Sequence, residues 1–181
     1  MSRDHTRVHQ RFLDRTGSPQ PRPDDAVPLP TRLVFTPEAR QAIVTQLYAT
    51  GHLRGGCLFG YITKSDAIIV AAPSNGYRLL DPLLATDPLH HDERYLLGWS
   101  DALNHTSPVE IDWLGCWVMW PNSMVGPMED EYAWLRRGRE TDLFNLSRYL
   151  CTFSWYDGKV YTHAYGSDPV TEDIRVLSTN L

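Results

Sequence analysis

Two short stretches of this chain carry side chains of the kind that hold metals or move protons. His90-His91-Asp92-Glu93 sets two imidazoles and two carboxylates in a row, with His105 and His163 further along, and Glu129-Asp130-Glu131 gathers three acids. Imidazole nitrogens and carboxylate oxygens bind zinc, and the same groups serve as general bases near neutral pH. The spacing argues against their direct use. Neighbouring residues on a strand face opposite ways and on a helix diverge by about 100°, so one ion does not take both His90 and His91. Asp92 instead sits where a helix begins, and the three acids open another, where negative charge is favourable beside free backbone N–H groups. His163, between Thr162 and Ala164, reads as a surface or cross-strand residue. Cys57, Cys116 and Cys151 lie inside apolar or aromatic runs without a Cys-x-x-Cys pair, which predicts buried reduced thiols. Gly-x-Ser-x-Gly, P-loop and dinucleotide fingerprints are absent from the sequence.

The elements that must position these residues follow from periodicity and punctuation. Arg32 to Phe35 is a short strand, and Thr36-Pro37 supplies an N-cap and an N1 proline for a helix to about Thr50, with Ile43, Val44, Leu47 and Tyr48 on its inner face. Gly56 to Thr63 and Ala67 to Ala72 form a hairpin around Lys64-Ser65-Asp66. A loop from Pro73 to Pro88 leads to a helix over Asp92 to His105, with Tyr95, Leu96, Trp99 and Leu103 inward. Ile111 to Trp120 is the most apolar run and suits a central strand. Glu129 to Arg137 is a third helix. Arg148–Tyr156 and Lys159–Tyr165 flank Asp157-Gly158, a hairpin turn, and a last strand lies around Ile174 to Leu177. This order predicts an α+β domain with a mostly antiparallel sheet flanked by helices.

Two of these runs carry a resemblance. Arg54-Gly-Gly-Cys-Leu-Phe-Gly60 after a helix, and Leu114-Gly-Cys-Trp-Val-Met-Trp-Pro121 on a central strand, resemble landmarks of the JAB/MPN (JAMM) metalloprotease family. The resemblance implies that family's cytidine-deaminase-like architecture for residues 31–181, and it implies where a zinc site would lie. Pro121 matches the proline of the family's histidine motif, which puts Val118 and Trp120 at the two histidine positions; Met128 and Glu131 fall at the serine and aspartate positions, and Leu53 at the catalytic glutamate. Only Glu131 keeps a carboxylate, and one carboxylate cannot hold zinc. The resemblance therefore implies a degenerate, non-catalytic member without metal or other cofactor, its former site formed by Leu53, Val118, Trp120, Met128 and Glu131.

The expected function is protein binding, as a homodimer or as a subunit of a larger assembly. Six tryptophans and nine tyrosines are many for 181 residues, and aromatic residues dominate binding hot spots; Trp120 and Trp134 are the candidate anchors. A net charge of −5 argues against nucleic acid, and no apolar stretch is long enough for a membrane span. A cytoplasmic protein is expected. Residues 1–30 read as a tail: Pro19, Pro21, Pro23, Pro28 and Pro30 make a linker, preceded by Arg3, Arg7, Arg11 and Arg15 at i,i+4 spacing, which could also contact a partner. Two alternatives remain open. One is a metal-dependent isopeptidase with a rearranged site drawing on His90, His91, His105 or Glu131; the other is a nucleic-acid-associated protein acting through the arginine stripe.

Overall fold

A computed structural model describes residues 29–49, 51–76, 87–141, 143–144, 147–168 and 173–181. Strands β1 (Arg32–Phe35), β2 (Arg54–Ile62), β3 (Asp66–Ala71), β4 (Asp112–Met119), β5 (Tyr149–Tyr156), β6 (Lys159–Ser167) and β7 (Ile174–Thr179) are interleaved with helices α1 (Pro37–Leu47), α2 (Glu93–Thr106) and α3 (Met128–Glu140). A 3₁₀ turn, Pro121–Ser123, follows β4. The helix starts are those the sequence marks. The Thr36 side chain accepts from the Ala39 N–H, with Pro37 in the first turn, and the Asp92 carboxylate accepts from the N–H groups of Arg94 and Tyr95. Asp157 and Gly158 both have positive φ, 49° and 72°, as a tight hairpin turn requires.

The strands close into a barrel in the order β1-β3-β2-β4-β5-β6-β7. β1 runs parallel to both β3 and β7, and β4 runs parallel to β5; the remaining pairings are antiparallel. This corrects the expected mostly antiparallel sheet flanked by helices, and with it the JAB/MPN-type α+β architecture: the described residues form a closed, mixed seven-stranded barrel carrying three short helices. The strands and their order agree with the sequence reading, but closure depends on a long-range seam. Only two residue pairs join β1 to β7, Arg32↔Ser178 and Leu33↔Thr179. Asn180 prolongs that seam with its side chain, accepting from the Phe35 N–H at 2.8 Å and donating to the Phe35 carbonyl at 3.1 Å. An amide thus does the work of one more ladder pair, satisfying backbone groups that would otherwise lack partners.

Alternation along the strands divides the core in two. Leu33, Leu58, Ile69, Leu114, Trp117, Met119, Cys151 and Phe153 point inward, joined by Ala39, Ile43 and Leu47 of α1. Cys57, Phe59, Trp113, Cys116, Val118, Leu150 and Tyr165 point outward under Leu96 of α2 and Leu135 of α3. Strict alternation would put Leu114 and Trp117 on opposite faces. Gly115, at φ 129°, resets the phase where a bulge interrupts the β2–β4 register; a Cβ there would lie 1.9 Å from the Tyr149 carbonyl oxygen, so only glycine fits. Two helix faces differ from expectation. Tyr48, at the end of α1, is exposed, and on α2 the buried positions are Leu96 and Ser100, with Tyr95 and Trp99 turned outward. No helix among the described residues is long and apolar enough to cross a membrane.

Candidate functional site

The densest set of reactive side chains lies on the outer face of β2 and β4. Cys57 and Cys116 are direct cross-strand partners, and both are fully buried. His91 closes over them from the segment leading into α2. Its Nε2 lies 3.6 Å from Cys116 Sγ, and the three potential donor atoms of Cys57, His91 and Cys116 all fall within 4.8 Å of one another. Gly55 and Gly56 make this closure possible. A Cβ on Gly55 would meet the Pro88 carbonyl oxygen at 2.1 Å, and one on Gly56 would meet that of Pro73 at the same distance. Backbone bonds stitch the approaching segments together: Asn75 N–H to Gly55 O, Cys57 N–H to Pro73 O, and Asp92 N–H to Asn75 O. The Trp117 indole N–H adds a bond to Pro73 O at 2.9 Å.

Electrostatics makes the two thiols unequal. Burial pushes both up, but bonding to Cys57 and the nearby His91 and Arg148 bring Cys116 below the ordinary thiol value, while burial and Cys116 leave Cys57 well above it. Burial alone would depress His91. Cys116, the Gly56 backbone and the charge of Asp87 outweigh it and raise the imidazole. Arg148 is itself buried, its guanidinium 4.4 Å from the centre of the Trp113 ring. Beside the cluster lies a cavity of about 390 Å³ whose wall includes His91, His90, Glu93 and an Asp87–Arg137 ion pair.

A second polar group sits further round the outer face. Glu131, 3% exposed, accepts from Thr152 Oγ1 at 2.8 Å, Tyr165 OH at 2.5 Å and His163 Nδ1 at 3.0 Å. Thr152 and His163 are register partners on β5 and β6, and Tyr165 is two residues on. Burial, then the carboxylate of Glu131, raises the Tyr165 phenol. The acid at the start of α3 is therefore not a solvated helix-opening charge but the acceptor at the centre of a buried network.

The residues singled out by sequence are distributed as follows. Val118 is buried in the outer cluster with Leu53 packed against it, and its β5 partner is Thr152, which bonds Glu131. Trp120 stacks on Trp134, ring centres 4.8 Å apart, and its buried indole N–H has no partner. Met128 is exposed. Arg3, Arg7, Arg11 and Arg15 lie outside the described residues. The histidines proposed for a rearranged metal site are not brought together: His91 faces the cysteines, His90 and His105 are exposed, and Glu131 belongs to the other network. The Cys57–His91–Cys116 cluster escaped sequence reading because its members come from two strands and a loop, so no spacing announces them.

No family model and no curated protein sequence matches the chain. Among solved structures it is similar to the solution structure of protein DSY2949 from Desulfitobacterium hafniense, with a TM-score of 0.55 and 15% identity over 81% of this chain and 90% of that one. At that identity the likeness concerns the fold alone.

Proposed function

We propose that this protein is a non-catalytic interaction module that docks a second copy of itself through one end of the barrel. The observation that carries the reading is a group of exposed aromatic side chains around the β5–β6 hairpin tip, one contacting pair on each face of the hairpin. Tyr48 is 70% exposed, Tyr156 62%, Tyr161 43% and Trp155 38%. Tyr48 touches Trp155 at 5.7 Å between ring centres, and Tyr156 touches Tyr161 at 6.0 Å. Met124 and Val125, also exposed, extend the patch, because the turn before them is bound to the end of α1. Ser123 Oγ donates to Leu47 O at 2.7 Å, and the buried Arg54 guanidinium bonds both Ser123 Oγ and Gln46 O. The end is therefore built rigidly, with its aromatic side chains left in water.

Apolar area of this kind on a rigid frame favours association, and Trp, Tyr and Met are the residues enriched at interface centres. The described strands close into a barrel with β5 and β6 paired to each other at this end, so the contact proposed is made by side chains and not by an added strand. Asp157 and Lys159, which flank Gly158 at the hairpin tip, supply opposite charges on the same patch. A two-fold arrangement sets each against its opposite in the other copy, as an isologous interface needs. Analytical ultracentrifugation tests the reading. The wild type should form dimers in the micromolar range and Trp155→Ala with Tyr156→Ala should be monomeric, whereas a monomer at about 0.1 mM would reject it.

A further inference from the structure

We infer that Cys57, His91 and Cys116 form a binding site for a soft divalent metal ion, zinc foremost, with its fourth position open to a water or small anion. The sequence alone points to no metal and to buried reduced thiols at Cys57 and Cys116; the fold adds His91 beside them. Zinc takes thiolate sulfur at about 2.3 Å and imidazole nitrogen at about 2.0–2.1 Å, so a tetrahedral S–Zn–N angle places the two donor atoms about 3.6 Å apart. The Cys116 Sγ to His91 Nε2 distance is 3.6 Å. Cys57 Sγ lies within 4.8 Å of both, close enough to complete a face with small rotations of its side chain. A donor set of two sulfurs and one imidazole selects zinc over the oxygen-seeking magnesium and calcium.

The surroundings favour such a site. His91 is held in place by the backbone beside it, since the Asp92 N–H bonds Asn75 O and the Asn75 N–H bonds Gly55 O of β2. The cysteines are fixed by strand register and the histidine by a loop stitched to two glycines, so little ordering is needed on binding. His91 also belongs to the wall of the adjoining cavity, which gives a path for the ion and for the fourth ligand. Arg148 acts on both sulfurs, and its positive charge beside a site of two thiolates and one divalent ion favours an anion at that position.

Cobalt(II) titration of the full chain, reduced and freed of metal by chelator, tests the inference. The wild type should take one equivalent and show sulfur-to-cobalt charge-transfer absorption of two-thiolate intensity, with tetrahedral ligand-field bands that zinc abolishes. Cys57→Ser and Cys116→Ser should each halve the charge-transfer intensity and weaken binding by about tenfold or more. Cys151→Ser is the control, since that thiol is buried on the inner face of the barrel, and it should bind like the wild type. Should the serine variants fail to fold, the wild-type spectrum still decides by its intensity and stoichiometry. A wild type without thiolate absorption, or one whose absorption survives loss of Cys57 and Cys116 or vanishes with Cys151, would overturn the site and reduce the cluster to three hydrogen-bonded core residues.

Discussion

Replacing Glu131 by alanine should cost the fold about 3 kcal/mol. The carboxylate accepts three hydrogen bonds, and two of the donors, Thr152 and Tyr165, are buried. Removing the acceptor leaves both hydroxyls without a partner, at about 1–3 kcal/mol each. His163, whose side chain is 39% exposed, can turn to water and adds little. Part of the loss is returned because the carboxyl group no longer has to be kept out of water, which brings the sum to about 3 kcal/mol. For a domain of this size that corresponds to roughly 6–12 °C in Tm. Glu131→Gln separates the contributions: the amide keeps the volume and an acceptor oxygen, so its cost should be about 1 kcal/mol. Urea unfolding of the three proteins supplies the numbers. If Glu131→Ala lies within about 0.5 kcal/mol of the wild type, in the range of ordinary surface substitutions, the network is not structural and the reasoning fails.

Gly56→Ala should destabilise by about 3 kcal/mol, since its Cβ would lie 2.1 Å from the Pro73 carbonyl oxygen and 2.5 Å from Trp117 Nε1, as denaturant titration would report. Stability should fall above about pH 10. Burial raises the Tyr149 phenol to about 12, with Arg175 opposing only in part, so the neutral form is favoured in the fold; stability is fully present below the unfolded value of about 10 and declines as pH rises through the folded one, by roughly 3 kcal/mol in all. Tyr149→Phe should remove its own share of that decline, the raised Tyr165 phenol keeping its share, and because the Tyr149 hydroxyl is buried without a partner it should also stabilise the protein by about 1 kcal/mol at neutral pH.

Among the described residues, local signals in the sequence specify each strand and α-helix within a few residues. Thr36-Pro37 and Asp92 start helices, Asp157-Gly158 turns a hairpin, and alternation separates Val118 from Trp117 and Met119. The barrel was not legible, because a period of two gives the face of each strand and not its neighbour; β1 meets β7 through Asn180, 145 residues from Phe35 in the chain. Nor was the phase reset at Gly115, which needs the Tyr149 backbone beside it to be understood. Glu131 was singled out for its place in a motif, but its partners Thr152, His163 and Tyr165 come from strands whose register no local pattern reveals. The Gly55-Gly56 pair looked like a strand landmark. Its physical basis is the close approach of two chain segments, one of which carries His91.

Hydrogen exchange at increasing protein concentration tests the proposed self-docking most directly, since it reports where copies meet and not merely that they do. Amides of the β5–β6 hairpin tip, of Tyr48 and of the Met124–Val125 segment should gain protection as concentration rises through the micromolar range, and the gain should vanish in the Trp155→Ala, Tyr156→Ala double variant. Protection that is independent of concentration, or that appears instead along β7 around the exposed Ile174 and Val176, would contradict the account.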